Sequence, residues 1–220
     1  MTVLHRRELR IARRRDLDGS GPALPGRVIG RNPGAIGAFA LLGEVLLTGV
    51  LVTVASLPVI TLPAALAAGA GHLRRHLRAE TTSVGAFVGD YLAALRGGWL
   101  VGLAAALATG VLLLDLDLAA SGALPGGPAI AVVGWVGLAA VALAIGLASS
   151  GWSQRTGWRH AIARTPRAVR RDPVGALYLL AAVGLVGVCT WALVPLFVPA
   201  LGCLVLALVA TPQRRAPRDA

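Results

Sequence analysis

The chain has 220 residues, of which 56% are hydrophobic and only 14% are charged, whereas a soluble domain of this size carries about 25% charged residues. The chain has too few polar residues to form a water-exposed surface around several apolar helices, which excludes a soluble fold. All 21 basic residues are arginines, and the net charge is +11. Because these arginines flank apolar runs, they indicate contact with the anionic headgroups of a lipid bilayer and not with nucleic acid.

The predicted elements begin with an N-terminal extension. Residues 1–34 are expected to form a cytoplasmic, arginine-rich and largely disordered segment, because glycine and proline interrupt it. A transmembrane domain is predicted over residues 35–210, and residues 211–220 are predicted to form a cytoplasmic tail. The first span covers 35–60. The second run, 63–77, begins at a proline, which is typical of the first turn of a helix.

Residues 83–96 are too short and too polar to span a membrane. Their apolar side chains share one helical face, which predicts an interfacial helix on the cytoplasmic surface. The residues of this stripe are Val84, Phe87, Val88, Tyr91, Leu92 and Leu95. The third and fourth spans are predicted over 99–118 and 129–149.

Residues 151–172 repeat the interfacial pattern, and Pro166 is predicted to kink or break this second amphipathic helix. Its stripe consists of Trp158, Ala161, Ile162, Thr165 and Val169. The apolar stretch 174–210 that follows is nearly twice as long as a hydrocarbon core of about 30 Å requires. Two prolines divide it into a fifth span, 174–194, and a short sixth span, 199–210, which has a re-entrant segment as its alternative.

The arginines predict the topology. With six crossings, the N-terminus, both interfacial helices and the C-terminus face one side, which holds all 21 arginines. The opposite turns, 58–63, 115–128 and 195–199, hold none. The positive-inside rule makes the basic side cytoplasmic, in a bacterial cell membrane. Five crossings, the alternative, would move one basic cluster outside. The predicted fold class is therefore an all-α, polytopic transmembrane helix bundle with two cytoplasmic amphipathic helices.

The segment Ser-Leu-Pro-Val-Ile-Thr-Leu-Pro and the alanine-rich run after it occupy residues 56–68. This segment resembles the YesL family of bacterial membrane proteins, whose first span ends in a Ser-Leu-Pro-hydrophobic-hydrophobic-Thr turn. The layout over residues 36–210 is also similar. Glu44 departs from the family, which often carries asparagine and aromatic residues in this span, and the arginine-rich extension is atypical. The family is a domain of unknown function, and the resemblance implies an accessory protein in carbohydrate uptake.

Apart from Asp115 and Asp117, which close the outer end of the third span, Glu44 is the only carboxylate inside a predicted span, and an intramembrane ionisable group is a functional candidate. Counting outward from the turn, Glu44 lies opposite Arg75 in the antiparallel second run. It is therefore predicted to pair with His72, Arg74 or Arg75 near the cytoplasmic edge. The alternative is a role in handling a proton or a substrate.

The turn between the first two runs contains Ser56, Pro58, Thr61 and Pro63. It predicts a tight hairpin whose hydroxyl groups bond to freed backbone groups, and the alternative is an outward-facing constriction or partner contact. Small residues every four positions, at Gly102, Ala106 and Gly110, predict close helix packing in the third span.

No metal or cofactor is predicted. His72 and His76 have the i, i+4 spacing of metal ligands, but the sequence offers no third ligand near them.

Three functions follow as hypotheses. The first is a non-enzymatic accessory or scaffold that docks through 83–96 and 156–171 onto a membrane protein such as a transporter subunit. The second is a small secondary transporter with Glu44 as its coupling group. The third is an intramembrane enzyme, for which the sequence shows no hydrolase, P-loop or metalloprotease motif.

Overall fold

The computed structural model describes residues 35–80, 82–121 and 126–213. These residues form seven α-helices and no strand, which confirms the all-α class. The helices are α1 (Ala35–Ala55), α2 (Leu62–Leu77), α3 (Val84–Ala120), α4 (Gly127–Gly151), α5 (Gly157–Arg171), α6 (Pro173–Ala192) and α7 (Phe197–Gln213). The predicted extension, 1–34, lies outside the described residues, as does the tail after Gln213. The described residues from Leu41 onward form one compact unit.

In the part of the chain that the structure describes, four stretches are long and apolar enough to cross a membrane: α3, α4, α6 and Val194–Thr211, which includes most of α7. In α3 and in α4 only 6% of the most apolar window is buried inside the chain. Apolar surface of this extent requires an apolar surrounding such as the bilayer interior. Helices can lie there because their backbone groups form hydrogen bonds within the helix. The fold is therefore a transmembrane helix bundle. The apolar part of α1, Phe39–Ala55, is shorter.

Helix α2 lies at the centre of the packed unit. Ala64, Ala65, Ala68 and Ala70 are completely buried, and such small side chains let neighbouring helices approach closely. The approach is tightest at Gly69, where a Cβ atom would lie 2.6 Å from the Val52 side chain of α1 and 3.5 Å from the Val205 side chain of α7.

Helix α3 joins two elements that the sequence predicts separately, the interfacial helix 83–96 and the third span. A kink at Arg96 and Gly97 separates them. Gly97 has φ +90°, a left-handed conformation that glycine adopts without a Cβ clash. The predicted apolar stripe is divided: Phe87 is buried, whereas Val84, Val88 and Leu92 are exposed. This segment therefore packs into the protein on one side only.

Helix α5 runs unbroken through Pro166, so this proline does not end the helix, and the predicted break is wrong. The ring removes one helical N–H, whose acceptor would have been the carbonyl of Ile162. Ile162 is exposed, so the helix is not forced to bury that unpaired carbonyl. The rest of the predicted stripe faces inward, because Trp158 and Ala161 are buried.

The C-terminal apolar stretch divides earlier than predicted. Helix α6 ends at Ala192, a 3₁₀ turn covers Val194–Leu196, and α7 begins at Phe197. Pro199 therefore lies within the first turn of α7 and does not begin it; a proline is tolerated there because the N–H groups of a first turn have no helical acceptor. The stretch Val194–Thr211 has 18 residues, so the expectation of a short last span is wrong.

The turn between α1 and α2 does not lie level with the far end of α3. A Cβ atom on Gly102 would collide with the carbonyl oxygen of Ile60, so this turn rests directly on α3 beside residue 102. Helix α3 continues for about 27 Å beyond that point at 1.5 Å per residue. The sequence predicts that turn 58–63 and loop 115–128 lie together on the side of the membrane without arginines. In the structure the turn lies beside the start of the predicted third span, far from the end of α3.

Candidate functional site

The candidate site is built around the basic end of α2. His72 Nε2 lies 2.6 Å from Glu44 Oε1 of α1, and His72 is only 1% exposed. His76 Nδ1 lies 3.7 Å from the other carboxylate oxygen of Glu44. The Phe87 and His72 rings pack edge to face, with centroids 6.2 Å apart. Glu44 therefore lies between two histidines on the neighbouring helix, one of them fully enclosed.

Of the three partners predicted for Glu44, the structure brings His72 to it and places the two arginines elsewhere. Arg74 donates a hydrogen bond to the carbonyl oxygen of Ser150 at the end of α4, where the last carbonyl groups of a helix have no N–H donor within the helix. Arg75 Nη1 lies 2.7 Å from Asp90 Oδ2 of α3. Gln154 donates a second hydrogen bond, of 3.3 Å, to Asp90.

Three buried nitrogen atoms in this cluster have no hydrogen-bond partner among the described residues. They are His72 Nδ1, Arg75 Nε and Arg75 Nη2. Buried polar atoms are normally hydrogen-bonded, and exceptions occur where a site handles a ligand, water or a proton. The second ring nitrogen of His72 is the most enclosed of the three, because the His72 side chain is only 1% exposed.

The turn at 56–63 is closed by its own hydrogen bonds. Thr61 Oγ1 lies 2.7 Å from the Ala55 carbonyl, and the Tyr91 hydroxyl donates to the same oxygen over 3.1 Å. Ser56 donates to the carbonyl of Thr53 over 3.1 Å, and the carbonyl of Pro63 accepts a bond of 3.0 Å from Ser149. These contacts make the turn a packed junction of α1, α3 and α4.

Trp158 fixes α5 against the kink of α3. Its Nε1–H donates to the carbonyl of Ala94 over 2.7 Å. A Cβ atom on Gly98 would lie 3.0 Å from the indole ring, so the ring packs tightly against this glycine. Trp152 also packs against the Trp158 ring, with centroids 6.0 Å apart and the ring planes at 33°.

Sequence reasoning placed Trp158 on the inward stripe but missed its partner. It also missed Asp90, Ser149 and Gln154, whose roles depend on which helices become neighbours. Gly97 and Gly98, adjacent in the sequence, were the one local signal of a bend and a close approach.

Two cavities of similar size are apolar. One, of about 330 Å³, is bounded by α2, α3, α4, α6 and α7, and Thr109 is its only polar lining residue. The other, of about 340 Å³, lies between the turn and α3. Neither is lined by a charged side chain. Within the described ranges, no group of three or more histidine, cysteine or acidic residues could hold a metal ion.

No family model, curated protein or solved structure matches the chain. The resemblance to the YesL family therefore stays a prediction from residues 56–68 and the layout. The class that the fold defines is a helical membrane protein with a buried polar cluster at one end.

Proposed function

We propose that the chain is a multi-pass protein of a bacterial cell membrane and acts as a non-enzymatic accessory or scaffold of a transport system. Carbohydrate uptake is the setting that the YesL resemblance implies. The proposal rests on the contrast, within α5 and the turn before it, between a buried tryptophan and exposed arginines. Trp158 is 6% exposed, whereas all six arginines between 155 and 171 are exposed and no acidic residue lies among them.

The arginine face of α5 has the properties of a docking surface. At 3.6 residues per turn, Arg167 lies half a turn from Trp158 and therefore on the opposite side of the helix. Because the Trp158 indole contacts α3 on one side of α5, the side that carries Arg167 faces away from the protein. A fixed cationic face of this kind suits an acidic surface of a partner, because complementary charge steers association and fixes orientation.

Photo-cross-linking in membranes tests the docking. A photoreactive residue in place of Arg167 should capture one membrane protein, and the same residue in place of Trp135, an exposed side chain of α4, should not capture it. Capture of that protein from both positions, or of lipid alone from Arg167, contradicts the accessory proposal.

A small secondary transporter is the second candidate, and the Glu44–His72 contact is the observation that favours it. A buried pair with one free ring nitrogen can exchange a proton. Transporters, however, bring several polar groups to a central binding site, and both cavities are apolar. Flux of a substrate through proteoliposomes of the purified chain, lost in Glu44→Gln, would support transport and overturn the accessory proposal. An intramembrane enzyme, the third hypothesis, draws support from no group of described residues.

We propose four crossings, by α3 after its kink, α4, α6 and α7, with α1 and α2 as a hairpin that enters and leaves on the cytoplasmic side. The Ile60–Gly102 contact supports this arrangement over the six crossings predicted from sequence, because it leaves the turn far from the outer end of α3. Both arrangements have an even number of crossings. Both therefore place every arginine and both termini on the cytoplasmic side, as the positive-inside rule requires.

Cysteine labelling in intact cells separates the two arrangements. In a Cys189→Ala, Cys203→Ala background, Ser121→Cys should react with a membrane-impermeant maleimide, and Leu57→Cys should not. Arg167→Cys should react only after permeabilisation. Six full crossings predict that Leu57→Cys is labelled as strongly as Ser121→Cys.

A further inference from the structure

Glu44 faces two histidines, and the arginine predicted opposite it pairs elsewhere. His72 Nε2 lies 2.6 Å from Glu44 Oε1, and His76 Nδ1 lies 3.7 Å from Glu44 Oε2, whereas Arg75 binds Asp90. An arginine partner would always be charged, but a histidine is charged only after it has bound a proton. The countercharge of this carboxylate therefore depends on proton binding.

The helices around the pair supply no other countercharge among the described residues. Glu44 is the one ionisable side chain of α1. Helices α4 and α7 both pack against α2, and neither contains an acidic or basic residue. On α3, Asp90 binds Arg75, and the Tyr91 hydroxyl donates to a carbonyl of the turn. Arg74 of α2 is bonded to the end of α4. Neutralisation of the Glu44 carboxylate is therefore left to the two histidines.

The second ring nitrogen of His72 leaves both neutral forms of the ring open. Its Nδ1 is buried and has no hydrogen-bond partner in the described part of the chain. The hydrogen of a neutral imidazole is placed by the bonds that its two nitrogens make. Here the state of Glu44 alone decides, and the hydrogen lies on Nε2 beside a carboxylate and on Nδ1 beside a carboxylic acid. A proton that binds Glu44, whose side chain is 16% exposed, can pass from the acid to Nε2, which yields a carboxylate and an imidazolium.

We propose that Glu44 and His72 form a proton-binding site that strengthens the attachment of α1 to α2 as the pH falls. An enclosed carboxylate is costly without a countercharge, and opposite charges attract more strongly inside a protein than in water. Proton uptake by His72 supplies that charge and keeps the hydrogen bond. The site requires neither docking at Arg167 nor flux of a substrate, so failure of the cross-linking or the proteoliposome experiment leaves it intact.

Thermal unfolding of the full chain in detergent, from about pH 8 to about pH 6, tests the attachment. Glu44→Gln keeps a hydrogen-bonding group for a neutral His72 but offers no charge to an imidazolium. The native chain should therefore melt above Glu44→Gln by a margin that grows as the pH falls. His160→Gln, at an exposed histidine of α5, is the matched control, and its margin should stay constant. A constant margin for Glu44→Gln, or an equal growth for His160→Gln, overturns the proposal.

The two histidines of α2 test which ring takes the proton. His72→Gln should abolish the pH-dependent part of the margin between the native chain and Glu44→Gln. His76→Gln should keep most of it, because that ring lies farther from the carboxylate. Loss in His76→Gln alone would overturn the assignment to His72.

Nitrogen NMR provides a second measurement if His72→Gln does not fold. Replacement of His5, His76 and His160 by glutamine leaves His72 as the single histidine of the full chain. Both of its ring nitrogens should carry a hydrogen at about pH 6, and one of them at about pH 8. A ring that stays in one state over this range would overturn the proposal.

Discussion

Helices α2 and α5 are both rich in arginine and histidine, but they use these residues in opposite ways. In α2 each of His72, Arg74 and Arg75 contacts a group on a different helix: Glu44 of α1, Ser150 of α4 and Asp90 of α3. In α5 the arginines are exposed, and a tryptophan makes the contact with the rest of the protein. Basic residues thus connect helices in one element and cover the surface of the other.

The difference comes from what each helix buries. The first ten residues of α2 are apolar, and all but Leu62, Pro63 and Leu66 are alanine or glycine, so four helices can surround it and its basic end is enclosed with them. Helix α5 has a single apolar stripe and can bury only one side. The same residue type should therefore cost much more to remove from α2 than from α5, because an unpaired buried partner loses its hydrogen bond without regaining water.

The largest effect is expected where the hairpin that carries α2 meets α3. Gly102→Ala would place a methyl group against the carbonyl of Ile60, a backbone atom that cannot move alone, and should destabilise the fold by about 3 kcal/mol. Gly110→Ala is the matched control, because a Cβ atom there meets nothing within 4 Å. Thermal unfolding in detergent measures both, and similar melting temperatures would contradict the close contact.

The next effect concerns the Glu44–His72 contact. Glu44→Ala leaves a buried imidazole with no partner on either nitrogen among the described residues, and should cost about 2 kcal/mol. Glu80→Ala, at a side chain 50% exposed, should cost almost nothing. Glu44→Gln keeps a hydrogen-bonding group but removes the charge. Unchanged folding, abundance and phenotype in Glu44→Gln would remove the functional interpretation of this carboxylate and leave a structural pair.

The sequence predicts some of this contrast and not the rest. Periodicity finds both amphipathic segments, and Pro63 marks the start of α2 to within one residue. The antiparallel count from the turn brings Glu44 near the basic end of α2, but it cannot choose between His72 and Arg75. Asp90 decides which residue pairs with Glu44, because it binds Arg75 and leaves His72 for Glu44. Asp90 is 15 residues further along the chain than Arg75, so it meets Arg75 only when α3 folds back on α2.

The depth of the turn could not be predicted for a similar reason. Hydropathy gives the length of each apolar run but not the level at which two runs meet. Gly102 belongs to the predicted line of small residues, yet a Cβ atom on Gly110, in the same line, would have no neighbour within 4 Å. Spacing alone therefore identifies positions that permit close packing, and only the tertiary arrangement shows which of them is used.

A smaller effect should follow from loosening α5. Trp158→Phe keeps an aromatic ring but removes the hydrogen bond to Ala94, and should cost about 1 kcal/mol. Because this loss acts on one helix, tryptic cleavage at the α5 arginines should accelerate more than global unfolding does. Trp135→Phe, at a side chain 66% exposed, is the control. Equal cleavage rates in the two variants would mean that the indole does not hold α5 in place.

The smallest effect isolates the arginine itself. Arg167→Gln alters an exposed side chain and should change the free energy of unfolding by less than about 0.5 kcal/mol. Arg75→Gln makes the same chemical change in α2, but it leaves the half-buried carboxylate of Asp90 without its ion pair and should cost about 2 kcal/mol. Chemical denaturation of both variants in the same detergent measures the difference. An equal loss of unfolding free energy in both variants would contradict the conclusion that the arginines of α2 connect helices and those of α5 do not. If Arg167→Gln barely changes the free energy of unfolding but abolishes cross-linking to the partner, then that arginine contributes to binding and not to folding.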